Sequence, residues 1–305
     1  MMTLGQGGAL HGGLDDGESG PAQGAGPAWG PFELPAGARF VRNLPYGADP
    51  AQRLDVYFPA RASASGPAAA SGPVRAAGAP VICMVHGGGW YRGNKALWRV
   101  VKNKVAHWVG AGGIFVSTNY RMLPAADPLT QANDVAAALG YVQSHLRSWG
   151  GDAARAVVMG HSSGAHLLLL IATDAALHAG AGRWAAMLLL DSAAMDVEEI
   201  MQARHYPVYD QAFGEDPAYW RRASPLHRLT TRPAAPMLIV CSTRRPDSLP
   251  QGEAFAAKVR GYGGRADLLP VDLSHAEVND LLGADNAYTA AVDGFLQSLD
   301  HAGNR

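Results

Sequence analysis

Ala156-Val157-Val158-Met159-Gly160-His161-Ser162-Ser163-Gly164-Ala165-His166-Leu167-Leu168-Leu169-Leu170 runs from apolar residues through a glycine-flanked serine into a second apolar run. The stretch Ala156–Met159 shows no period-2 alternation, as expected of a strand buried on both faces of a parallel sheet. The segment from Gly164 to Leu177 reads as a helix. A strand that turns directly into a helix puts Ser162 on a sharp bend with its hydroxyl exposed. Gly160 and Gly164 flank it because such a bend leaves no room for side chains. This is the G-x-S-x-G pattern of a nucleophile elbow. On its own the pentapeptide is equally a plain Gly/Ser turn, and its context decides.

A second motif, His86-Gly87-Gly88-Gly89-Trp90, follows the strand-like run Val81–Val85. When a serine attacks a carbonyl, the oxygen becomes an anion, and each backbone N–H aimed at it lowers the barrier by about 3–4 kcal/mol. Gly88 and Gly89 are the expected donors of this oxyanion hole. Ser163 joins them, because its amide opens the helix beneath the nucleophile. His86 is expected to brace the loop and Trp90 to pack under it. His161 and His166 flank the elbow without a Cys or carboxylate pattern that would make a metal site.

Serine needs a base, and the base an orienting carboxylate. His275, in Asp272-Leu273-Ser274-His275-Ala276, lies just past the last strand candidate, in a region read as a loop. The other downstream histidines, His178, His205, His227 and His301, read as surface positions. For the acid, motif order favours Asp247, which follows the strand Met237–Cys241. Asp191, directly after Met187–Leu190, is the competitor, and Asp272, close to His275, comes third.

The remaining chain supplies a scaffold. Further strand candidates are Leu54–Phe58, Ile114–Thr118 and Ala266–Pro270, and helix candidates cover 97–109, 129–149, 252–262 and 286–299. Strand alternating with helix predicts a doubly wound α/β sheet whose ligands gather at the carboxyl ends of the strands. With 25 basic and 26 acidic side chains and no Lys/Arg cluster, neither nucleic acid nor a membrane surface is an expected partner. Cys83 and Cys241 lie inside strand runs and read as buried thiols, and the N-terminus lacks the pattern of a secretory signal, so a cytoplasmic protein is expected. Residues 1–30 are glycine-rich without Lys or Arg, and are expected to be flexible. Residues 60–80 read as a surface connection within the domain.

These motifs resemble the α/β-hydrolase superfamily, in the esterase/lipase branch with an HGGGW oxyanion loop. The elbow Gly160–Leu167 is similar to that of kynurenine formamidase-like and feruloyl-esterase-like carboxylesterases. Gly89-Trp90-Tyr91-Arg92-Gly93-Asn94-Lys95, Asn119-Tyr120-Arg121 and Ser224-Pro225 fit the same group. The resemblance implies an α/β-hydrolase fold over residues 31–305, with a mostly parallel sheet flanked by helices and a small cap-like insertion at about 192–236. It also implies a triad of Ser162, Asp247 and His275 with no cofactor. Two departures stand out: Ser163 in place of alanine, and Asp191-Ser192 where a neutral Ser-Gly is more usual. Of the cap aromatics Tyr206, Tyr209, Phe213, Tyr219 and Trp220, most are expected to pack the cap and one or two to line a pocket. The expected activity is hydrolysis of small or aromatic carboxylic esters through an acyl-enzyme. An arylformamidase, or a non-catalytic binding protein on the same fold, is the alternative. The expected partner is a small ester or amide, and a homodimer stays open.

Overall fold

β-Branched and apolar runs build the centre of the molecule. The computed structural model describes residues 32–60, 78–192 and 194–302. The expectations for 1–30 and for most of the 60–80 connection fall outside the described residues. The strands are β1 (Arg39–Pro45), β2 (Arg53–Phe58), β3 (Ala79–Val85), β4 (Ile114–Thr118), β5 (Gly151–His161), β6 (Ala186–Leu190), β7 (Met237–Ser242) and β8 (Ala266–Val271). They form one sheet in the order β1-β2-β4-β3-β5-β6-β7-β8. β1 and β2, and β2 and β4, pair antiparallel, and every other pairing is parallel.

The inner strands β4, β6 and β7 are buried throughout, which is why they read as unbroken apolar runs. The edge strand β1, Arg-Phe-Val-Arg-Asn-Leu-Pro, is largely exposed and ends in a proline. Its register slips between Val41 and Leu44, where Asn43 takes φ 54°. A polar, bulged strand of this kind carries no apolar signature, so the sequence alone does not announce it.

Helices cover both faces. They are α1 (Trp98–Lys104), which runs on as a π-helical stretch (Val105–Val109), α2 (Pro128–Trp149), α3 (Ser163–Ala172), α4 (Ala175–Ala181), α5 (Val197–Gln202), α6 (Pro207–Phe213), α7 (Pro217–Ala223), α8 (Pro225–Arg228), α9 (Ser248–Gly261), α10 (His275–Asp280) and α11 (Ala287–Ala302). One apolar layer joins α2, α3 and α9 to the sheet through Val135, Leu139, Leu168 and Phe255. The other joins α1 and α11 through Val101, Val292 and Phe295. Helix α2 starts where the Asp127 carboxylate accepts from Thr130 N at 2.8 Å with Pro128 at the first turn, and stops at Gly150 in the left-handed region.

Two elements differ from the expected outline. The helix expected over 164–177 is broken, because Asp174 accepts from the N–H groups of Ala176 and Leu177 and starts α4 at 106° to α3. His275 is the first residue of α10 and not a loop residue. Ser274 and Glu277 form a capping box: Glu277 N donates to Ser274 Oγ at 3.3 Å, and Ser274 N donates to Glu277 Oε2 at 2.8 Å. The S-x-x-E spacing carries that signal in the sequence. Between β6 and β7 the chain forms four short helices, α5 to α8. Among the described residues no single helix is long and apolar enough to cross a membrane; only α3 and α4 taken together, across their 106° bend, reach that length and apolarity.

Candidate active site

Ser162 occupies the turn between β5 and α3 with φ 53° and ψ −122°. A non-glycine residue at such angles costs on the order of 1–3 kcal/mol and persists only where its surroundings hold it. Here its N–H donates to Leu190 O, at the end of β6, and its C=O accepts from His166 N one turn into α3. A β-carbon on Gly164 would overlap the carbonyl oxygens of Val85 and His86, so the helix can approach β3 only with glycine there. Gly164→Ala is therefore expected to lose about 3 kcal/mol of stability, read from urea denaturation. A loss under about 1 kcal/mol would show that the contact relaxes at little cost.

The serine hydroxyl lies 2.9 Å from His275 Nε2, and His275 Nδ1 lies 2.6 Å from Asp191 Oδ2. Three chain segments, ending β5, following β6 and following β8, thus meet in one hydrogen-bonded line. Asp191 is fully buried and itself has φ 51°. Its Oδ1 accepts from Ser242 N at 2.9 Å and from the Ser248 hydroxyl, and its Oδ2 also accepts from Arg245 Nη1 at 3.0 Å. Burial opposes its ionisation, but the His275 hydrogen bond and the Arg245 charge outweigh burial and hold the carboxyl well below the usual range.

This overturns the expectation that Asp247 orients His275. Asp247 stands at the start of α9 and accepts from Arg245 Nη2 at 3.2 Å. Arg245 stands between it and the imidazole, with Nη1 3.0 Å from His275 Nδ1. The physical reason is the sheet order: β6 is the direct neighbour of β5, so the residue after β6 already lies beside the elbow. The segment after β7 supplies donors to that carboxylate instead of a second acid. Asp272, the third candidate, is mostly exposed and pairs with Arg244 at 2.8 Å.

The glycine loop is held from several sides. Gly88 has φ 128°, and its C=O accepts from Tyr91 N and Arg92 N, which closes the turn. A side chain there would run into the Arg92 carbonyl. The Gly87 backbone passes so near the serine that a β-carbon on it would come within 2.9 Å of Ser162 Cβ. Gly89 lines a cavity of about 80 Å³ together with Ser162 and His275. Ser163 is the first residue of α3, so its N–H is one of the amides that a helix start leaves without an intrahelical partner.

The histidines around the elbow are structural. His86 donates from Nδ1 to Gly87 O at 2.7 Å and stacks on Tyr120, whose hydroxyl donates to His86 O at 3.0 Å. This contact gives Asn119-Tyr120-Arg121 its purpose: Asn119 Oδ1 accepts from Lys95 N at 2.6 Å, and Arg121 grips Asp134 through two nitrogens. His161 donates from Nε2 to His275 O at 3.0 Å. His166 accepts at Nδ1 from Trp90 Nε1 at 3.1 Å and donates from Nε2 to Ala223 O at 2.8 Å. Burial pushes the His166 pKa down to about 4, so the ring is the neutral donor–acceptor these two bonds require.

The BD-FAE family model matches residues 71–204, a span that holds the glycine loop, the elbow and Asp191. Over 67% of its length the chain is 26% identical to the esterase LipC of Mycobacterium tuberculosis, covering 50% of that protein. Over 30% of its length it is 37% identical to the carboxylesterase NlhH of the same organism, covering 28% of it. A probable isoprenylcysteine alpha-carbonyl methylesterase of Arabidopsis thaliana is 29% identical over 41% of this chain and 23% of its own length. The chain thus spans half or less of each of these relatives. Among solved structures, esterase B from Lactobacillus rhamnosis superposes with a TM-score of 0.67 at 20% identity, over 88% of this chain and 87% of that one. The chain has the α/β-hydrolase fold.

In this fold the segment between β6 and β7 contributes Ala194, Val208 and Tyr209 to the cavity wall. Of the aromatic residues singled out there, Tyr209 alone lines the cavity. Phe213 packs edge-on against Trp90 with ring centroids 4.9 Å apart, Tyr219 donates to Asp127 Oδ2, and Trp220 donates to Gly214 O. Two guanidinium-bearing residues, Arg92 and Arg245, also stand in the cavity wall. They are 153 positions apart in the sequence, so no local cluster announces them.

Proposed function

We propose that this protein is a serine carboxylesterase acting on esters with small acyl groups. The observation that carries the reading is the line Ser162 Oγ, His275 Nε2, His275 Nδ1, Asp191 Oδ2, with 2.9 Å and 2.6 Å at its two hydrogen bonds. Ser162 Oγ attacks the ester carbonyl carbon as His275 Nε2 takes its proton, and Asp191 holds the Nδ1–H tautomer and stabilises the imidazolium. The carbonyl oxygen, now an anion, is met by the N–H groups of Gly88, Gly89 and Ser163. Collapse expels the alcohol, which takes the proton from His275. Water then repeats the sequence and releases the acid.

The size of the cavity supports the restriction to small acyl groups. At about 80 Å³ it is well below the roughly 300 Å³ or more typical of pockets for drug-sized ligands. The esterase names of the partial relatives support ester hydrolysis as the reaction. The segment at about 192–236 acts in this reading as a cap that sets the depth of the cavity through Val208 and Tyr209. A cytoplasmic setting belongs to the same reading, supported by two free, buried thiols, Cys83 and Cys241.

The test is a series of p-nitrophenyl esters of increasing acyl length, run beside N-formylkynurenine. The acetate and butyrate are expected to exceed the octanoate in kcat/KM by about tenfold or more, the effect of a few unburied methylenes. A protein that cleaves none of the esters would overturn the proposal. A kcat/KM on N-formylkynurenine above that of every ester would transfer the assignment to arylformamidase.

A further inference from the structure

The charges of the cavity wall do not balance. Asp191 is taken up by His275, Arg245 and Ser248, and Ser242 N donates to it. Arg245 is taken up by Asp191 and Asp247, with only 13% of its side chain exposed. That leaves Arg92. Among the described residues no carboxylate pairs with it, and its Nε–H is buried without a hydrogen-bond partner. The guanidinium stands over the ring of Tyr91, 5.4 Å from its centroid, and both residues line the cavity that holds the Ser162 hydroxyl.

A buried donor without a partner costs free energy, and a cation beside a cavity costs more unless an anion or water meets it. The Nε–H and one Nη–H of a guanidinium form a planar fork that matches the two oxygens of a carboxylate. The backbone of Arg92 is fixed: its N–H donates to Gly88 O, in the turn of the glycine loop. A group bound by Arg92 would therefore be held in register with the loop that receives the oxyanion.

We propose that Arg92 is a specificity residue that binds a carboxylate on the substrate, so that the natural substrate is an ester carrying a second, acidic group. This rests on the serine carboxylesterase reading and narrows it. A single guanidinium matches the charge of one carboxylate, and the small cavity places the acidic group within a few bonds of the scissile ester.

The experiment compares charged and neutral ester pairs of equal shape. For the alcohol side the pair is para-acetoxybenzoate and para-acetoxybenzamide; for the acyl side it is the p-nitrophenyl monoester of adipic acid and the corresponding terminal carboxamide. In at least one pair the wild type is expected to favour the carboxylate in kcat/KM by about tenfold or more, the scale of one hydrogen bond to a charged group. Arg92→Gln is expected to bring that ratio to within about threefold of unity, and Arg92→Lys to retain part of the preference, whichever way the absolute rates move. A wild type that cleaves both members of each pair equally well, or an unchanged ratio in Arg92→Gln, overturns this inference and leaves the esterase reading standing. Failure to cleave any of the four compounds or any simple ester overturns the esterase reading and this inference with it.

Discussion

Ser162→Ala is expected to lower kcat/KM for p-nitrophenyl acetate by about ten-thousandfold or more while leaving the fold intact. Alanine keeps the β-carbon and the backbone angles of the elbow, φ 53° and ψ −122°, and removes only the attacking oxygen. The melting temperature is expected to move by no more than a few degrees. The remaining activity would come from binding and the oxyanion donors alone. Because the serine and its base act as one unit, Ser162→Ala combined with His275→Ala is expected to be no slower than Ser162→Ala by itself. An alanine variant with near-wild-type turnover, after exclusion of contaminating hydrolases, would remove Ser162 from the reaction.

The second large effect separates two carboxylates. Asp191→Asn is expected to cost about a thousandfold to ten-thousandfold in kcat, because an amide can present its NH2 to His275 Nδ1 and favour the tautomer that cannot accept the serine proton. The same change leaves Arg245, one of the four groups now donating to Asp191, without its buried counter-charge. A stability loss of about 3–5 kcal/mol should accompany the kinetic one. Asp247→Asn touches a carboxylate that is 36% exposed and, among the described residues, bonded through its side chain to Arg245 alone, at 3.2 Å, and is expected to change kcat by about threefold at most. Steady-state kinetics on the two variants, with urea denaturation alongside, decide the matter. A larger kinetic loss at Asp247 would restore the acid to the segment after β7.

The contrast between these aspartates marks where the sequence stopped being informative. The elbow, the glycine loop and His275 were legible because each needs a local pattern: glycines where backbones touch, an apolar run on either side, a position just past a strand. The inner strands were legible because burial on both faces leaves no polar alternation. The choice between Asp191 and Asp247 depends on which strand end stands beside β5, a property of sheet order that no local window contains. The edge strand β1 was missed because its exposed residues have nothing apolar to repeat, and α5 to α8 because each is too short for a periodic stripe. The split at Asp174 and the capping box of Ser274 and Glu277 were written in capping residues, where side-chain chemistry and not hydrophobic period sets the boundary. The pairing of Arg245 with Asp191, and the cavity position of Arg92, required the tertiary fold.

His166 joins three parts of the molecule that are distant in sequence: Trp90 from the glycine loop, its own place in α3, and Ala223 at the end of α7. One ring accepts at one nitrogen and donates at the other, so α7 is fastened to α3 and the glycine loop by a joint with no spare valence. Sliding α7 by a turn would strand a donor in the protein interior. Substrate range in this protein should therefore change by carving the side chains that hang into the cavity, Val208 and Tyr209 foremost, and not by re-hinging the helices that carry them. An engineer wanting a longer acyl groove would do best to hollow out the ceiling and keep its bolt.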